Sequence, residues 1–127
     1  MKKNLNLNQD AVDAVDAVDA IKNYHAHLYY DAKNMPEAQQ LAHMINQAYS
    51  VSIGTFHRKP IGPHPVWSCQ ITVTPDLLGE VIAYLLIHHG TIDVFIHANT
   101  DNHLLDHTQH VMWVGKSYAL NLSIFES

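Results

Sequence analysis

The sequence predicts an α+β domain whose elements follow one another as βαββαβ, with a further segment at the C-terminus. Two observations carry this: four short stretches with strand-like alternation or β-branched and aromatic content, and two stretches between them with apolar residues at helical spacing. A third is size. The chain has 127 residues, 47% hydrophobic and 15% charged, which fits one domain with one hydrophobic core.

Each element has its own signal. Residues 11–20 read AVDAVDAVDA, a period of three that matches neither helix nor strand well, so residues 1–21 are expected to form a flexible leader, with a short helix as the alternative. The domain itself then spans residues 22–127. Tyr24 to Tyr30 is an aromatic-rich strand. Asn34, Pro36 and Glu37 mark a helix start, and Leu41, Met44, Ile45 and Ala48 give that helix an apolar face. Val51 to His57 reads as the second strand, and Lys59 to Pro65, with three prolines and a glycine, as a loop. Trp67 to Val73 alternates cleanly as the third strand. Thr74, Pro75 and Asp76 open a second helix with Leu78, Val81, Ile82 and Leu85 on one side, and Gly90 closes it. Ile92 to His97 is the fourth strand, and Tyr118 to Ile124 a fifth strand or tail.

This order is the ferredoxin-like pattern, which places both helices on one face of a single sheet. The other face then needs cover from the C-terminal segment or from a second subunit, so a homodimer is expected.

Composition excludes several classes of function. The net charge is -5 with histidines neutral, and Lys and Arg together number only 7, which argues against nucleic-acid binding. The single cysteine, Cys69, excludes an intrachain disulfide framework, and its alternation with Trp67 and Ile71 makes it a core residue. No apolar segment near the N-terminus suggests a signal peptide, and Val81 to Ile87, the longest apolar run, is too short to span a membrane. A cytoplasmic protein is the expectation. Glycine-rich phosphate loops and a serine nucleophile elbow are absent from the sequence.

Eleven histidines remain to be explained. Side chains alternate across a strand, so His25, His27 and Tyr29 share one face of the first strand. Gln70 shares that face on the third strand, and His97 on the fourth. First and fourth strands are neighbours in this topology, so His25, His27 and His97 converge on the open face. Imidazoles projecting together from rigid strands can hold one metal ion; the plainer reading is a set of solvated histidines. No carboxylate is securely placed beside them, and Asp93, Asp101 and Asp106 are the candidates. Two loops add more. His64 stands between two prolines, where its backbone has little freedom, and Asp106 adjoins His107, which it is expected to orient and charge-stabilise. His43, His88 and His89 have bland readings as solvated or helix-terminal residues.

The segments YHAHLYYD (24–31), FHRKPIGPHP (56–65) and IHANTDNHLLDHTQHVMWVG (96–115) resemble, in order and spacing, three signature blocks of the DOPA 4,5-dioxygenase family. The resemblance covers roughly residues 22–125 and carries over His25, His27, His57, His64, His97, Asp106 and His107. It implies a ferredoxin-like, dimer-forming fold and extradiol cleavage of a catechol such as L-DOPA by O2. Fe(II) is the implied metal, with another divalent ion as the alternative, and His25, His27 and His97 are its expected ligands. His64, His107 and Asp106 are the catalytic candidates, and His57, Gln70 and Tyr29 the substrate-binding ones. The third block departs from the family pattern: Ala98 replaces a usual proline, and Asp101 and Asn102 stand where Gly-Asp is common. A ferredoxin-like module that binds a metal or small ligand without oxygenase activity is the competing reading.

Overall fold

The computed structural model describes residues 7–125. The chain runs α1 (Leu7–Asp19), β1 (Asn23–Tyr30), α2 (Met35–Ala48), β2 (Ser52–Ile53), β3 (Trp67–Val73), α3 (Leu78–His88), β4 (Asp93–Asn99), α4 (His103–Asp106) and β5 (Val111–Val114). Short 3-10 turns precede α3 (Pro75–Leu77) and end the described chain (Leu122–Phe125). The five strands form one sheet in the order β2-β3-β1-β4-β5, with every adjacent pair antiparallel.

One face of this sheet is the hydrophobic core. Ala26, Leu28 and Tyr30 of β1 meet Cys69, Ile71 and Val73 of β3, and Val94 and Ile96 of β4. Helix α2 lays Ala38, Leu41, Ala42 and Ile45 on them, and α3 adds Val81 and Leu85. Each large apolar side chain fully buried there contributes about 1.5–3 kcal/mol. Cys69 lies within this layer, fully buried, and burial pushes its thiol up to about 12, which makes it a packing residue and not a nucleophile.

The helix termini are tied by side chains. Glu37, at the start of α2, accepts from both the backbone N–H and the hydroxyl of Thr91, which joins α2 to the turn between α3 and β4. That turn needs a glycine: Gly90 has φ +58°, and a Cβ there would collide with the Glu37 carboxylate. Among the described residues no helix is long and apolar enough to cross a membrane.

Several expectations change. Residues 7–19 are helical, the alternative to a flexible leader, although the described side chains there are exposed; residues 1–6 of the leader lie outside the described chain. The second strand covers only Ser52–Ile53 and not Val51–His57, because beyond it the pairing thins to single bonds, Gly54 N–H to Gln70 O and His57 N–H to Ser68 O. The fifth strand is Val111–Val114, while Tyr118 to Ile124 does not pair as a strand and crosses the sheet as a tail. Asn34 does not cap α2 with its side chain; Asp31 instead accepts from the N–H groups of Lys33 and Asn34. Met44 is exposed, and Ala38 and Ala42 complete the apolar face of α2 in its place.

Candidate metal centre

The opposite face of the sheet has different chemistry. Across β1 and β4, His25 stands directly opposite His97 and His27 opposite Phe95. Alternation therefore brings His25, His27 and His97 together, as expected, with one ligand nitrogen from each within 4.8 Å of the others. His27 and His97 are buried, and their Nε2 atoms lie 3.0 Å apart. Two nitrogens bound at right angles to one ion, each about 2.1 Å from it, would be separated by about 3.0 Å.

The donors are also in the correct chemical state. The Ala98 carbonyl can only accept, so at 2.8 Å it places the hydrogen of neutral His97 on Nδ1 and leaves the Nε2 lone pair facing inward. Burial lowers His97 to about 3, and it lowers His25 and His27 too, aided by the neighbouring histidines. Unprotonated imidazoles are what a cation requires. The three residues therefore fit a divalent metal of the imidazole-binding kind. No carboxylate belongs to this group among the described residues. Asp93 is a latch, accepting from Lys116 N–H and from the Tyr118 hydroxyl, and Asp101 pairs with Lys22.

The histidines open into a cleft of about 230 Å3 that also touches His64, Gln70, His107 and Phe125. This is small for a multi-ring ligand and suits a single aromatic ring. Its walls come from three covering segments. The proline loop supplies Pro63 and His64, both buried, and the loop after β4 supplies His103, Asp106 and His107. The tail supplies Ile124 and Phe125. Asn121 N–H bonds to the Pro63 carbonyl at 2.9 Å, joining tail to proline loop, and the Phe125 ring packs tilted against His107 with centroids 4.4 Å apart. Tyr118, Trp113 and Tyr29 continue the aromatic packing behind them. The tail, one of the two covers foreseen, thus encloses this face within the chain itself.

His64 and His107 differ in their fixed tautomers. Tyr29 is buried, and its hydroxyl has one partner among the described residues, His64 Nδ1 at 2.7 Å. Burial raises Tyr29 above the usual tyrosine range, so the phenol stays protonated and donates. Neutral His64, lowered to about 4 by burial and then by His107, therefore carries its hydrogen on Nε2. In His107 the arrangement is reversed. Its Nδ1 donates to the His103 carbonyl at 2.7 Å, leaving Nε2 with a free lone pair. Burial lowers this group as well, but the His103 carbonyl and the Asp106 charge oppose that lowering.

Asp106 does not orient His107 as expected. Its carboxylate accepts from Thr100 N–H, the Thr100 hydroxyl and His110 Nδ1, and these bonds outweigh burial to keep it ionised. It fixes the loop and acts on His107 by charge alone. His57 is half-buried and does not line the cleft; its carbonyl accepts from Tyr30. Tyr29 also stays out of the lining and stands behind His64. Gln70 does line the cleft, with its amide donating to Thr72. Sequence reasoning missed His103, Asn99, Ile124 and Phe125 as walls. The apolar alternation of the tail was a signal for Ile124, and Phe125 falls outside it.

Residues 24–124 match the model of the Dopa 4,5-dioxygenase family. The chain is 30% identical over 112 residues to the DOPA 4,5-dioxygenase of Amanita muscaria, covering 81% of this chain and 49% of that protein. It is 33% identical over 113 residues to an uncharacterized 21.2 kDa protein of Botryotinia fuckeliana, covering 80% and 62%. The chain thus spans about half to three fifths of the length of these relatives. A crystal structure of a candidate dioxygenase from Nostoc punctiforme superposes with a TM-score of 0.71 at 29% identity, covering 82% of this chain and 90% of that one.

Proposed function

The chain belongs to the Dopa 4,5-dioxygenase family, and from that premise we propose that it is an extradiol dioxygenase, opening the ring of a catechol with O2 at a non-haem metal. The observation that supports this most is the convergence of three neutral imidazoles beside a cleft of single-ring size. His25, His27 and His97 would hold the metal, Fe(II) by preference. When bound, it would supply the charge and redox chemistry that bring a catechol and O2 to reaction.

The chain's own residues divide the remaining work. His107, with its Nε2 lone pair free, is suited to take a proton from a catechol hydroxyl. His64, with Nε2–H fixed by Tyr29, is suited to donate a hydrogen bond to an oxygen in the cleft, and its value of about 4 makes it a poor base near neutrality. Asp106 supports His107 through its charge and Thr100 through its hydrogen bonds. Ile124 and Phe125 supply apolar surface at the cleft and help to exclude water, and Phe95 packs beside His107. In this reading the fold is the ferredoxin-like, dimer-forming arrangement of the family in a cytoplasmic setting, and sedimentation in solution checks the dimer.

Anaerobic reconstitution with Fe(II), followed by a catechol and then air, tests the activity. Oxygen uptake with a new yellow absorbance is the expected result. Stoichiometric metal binding with no turnover of several catechols would leave a metal-binding module instead.

A further inference from the structure

The three segments that cover the metal face are held unequally. The proline loop buries Pro63 and His64, and His64 is bonded to Tyr29. The loop after β4 buries Asp106, whose carboxylate accepts three bonds from Thr100 and His110. The tail buries no residue between Gly115 and Phe125. Three hydrogen bonds among the described residues tie residues 116–125 to the rest of the chain. Lys116 N–H and the Tyr118 hydroxyl donate to Asp93 at 2.8 and 2.7 Å, and Asn121 N–H donates to Pro63 O. Beneath the tail lies a hollow of about 260 Å3, walled by Phe95 and Trp113 of the sheet and by Tyr118, Leu120 and Leu122 of the tail. A segment with no buried anchor and with space beneath it opens at far lower cost than the strands do.

The root of the tail has the parts of a hinge and a latch. Gly115 has φ +84°, a conformation that favours glycine, and a Cβ there would collide with the Asp93 carboxylate. That carboxylate uses both oxygens on the tail, Oδ1 on Lys116 N–H and Oδ2 on the Tyr118 hydroxyl. The Lys116 ammonium lies 5.0 Å over the Tyr118 ring and adds to the same contact. At the other end Ile124 and Phe125 wall the cleft, with Phe125 against His107. We propose that residues 116–125 are a hinged cover, turning at Gly115 and latched by Asp93, whose opening admits a ring-sized ligand to the cleft. This goes beyond the catechol reading and does not depend on it.

Two variants release the latch by different means. Tyr118→Phe removes one of its bonds, and Gly115→Ala displaces the carboxylate that accepts both. Amide hydrogen exchange on the metal-free full chain is the first measurement. In Tyr118→Phe the amides of Lys116 and Asn121 should both exchange about tenfold faster, while those of Leu28 and Ile96 in the sheet hold. Gly115→Ala should act in the same direction. The second measurement mixes imidazole, a single ring that binds metals without catechol chemistry, with the full chain loaded with Co(II), and follows visible absorbance. Association and dissociation should both quicken about tenfold in Tyr118→Phe and leave the affinity unchanged, as a gate requires. Faster exchange at Lys116 with none at Asn121 would mean that the tail frays piecemeal, and would overturn the cover. Imidazole rates equal to those of the parent chain would overturn it too, because the ring then reaches the metal without the tail moving. A weaker affinity with an unchanged association rate would make the tail a fixed wall and not a gate.

Discussion

The two faces of the sheet are made by the same strands, yet they do opposite things. On the helix side, Leu28, Ile71 and Val94 lie in one continuous apolar layer under α2 and α3. On the other side, their neighbours in sequence, His27, Gln70 and Phe95, line or border a cleft covered by two loops and a tail. Burial stabilises the first face through the hydrophobic effect. On the second, burial forces imidazoles to stay neutral, which costs stability whenever the unfolded chain would protonate them. A fold can therefore carry a destabilising site if each strand puts it on the face that the core does not use.

The comparison is broken most strongly on the core side. Leu28→Ala is expected to cost about 2–5 kcal/mol, read as a lower urea midpoint, while metal affinity of the folded fraction stays the same. Its counterpart, His97→Ala, should reverse that pattern: metal affinity falls by about 100-fold or more in a chelator competition, and metal-free stability holds or rises. Similar behaviour of the two variants would mean that the faces are not independent.

Acidity comes next in size, counted for each histidine. His64 and His97 titrate near 4 and 3 in the fold and near 6.5 when unfolded. Between those values the unfolded chain binds more protons, so stability rises with pH in that window. The metal-free protein should keep its full stability well above 6.5 and lose about 3 kcal/mol for each of these two histidines as pH falls toward 4. Urea unfolding at stepped pH measures this, and His64→Gln should flatten the slope. A slope that is unchanged in that variant would locate the acid sensitivity elsewhere.

The smallest effect sharpens the role of the second face. Tyr29→Phe removes the donor to His64 Nδ1 and frees that ring to change tautomer. Turnover should fall by about tenfold and its pH profile should shift, while metal affinity stays the same. A loss of metal affinity would show that Tyr29 supports the ligands and not the proton chemistry.

Much of this site was legible in advance because alternation along a strand needs no tertiary knowledge. His25 and His27 had to share a side, and the expected β1–β4 pairing brought His97 opposite His25. Segments without a period were harder. The tail alternates like a strand, but with β5 already on the outer edge of β4 it lies across the sheet, where its apolar residues meet Phe95 and His107. Asp106 adjoins His107 in sequence, yet α4 turns its carboxylate to Thr100 and His110, since neighbours on a helical turn point about 100° apart. His57 came with a motif, but its strand frays before it can reach the cleft.

By itself the sequence determined the βαββαβ order between β1 and β4, most of the apolar core and the three histidines that face one another, because local periodicity dictates which side a residue takes. Only the tertiary structure decided what encloses that face, which hydrogen His64, His97 and His107 carry, and that no carboxylate joins the three among the described residues. Those outcomes depend on contacts between residues far apart in the chain, Tyr29 with His64 and Asn121 with Pro63 among them. Periodicity within one strand carries no information about such contacts.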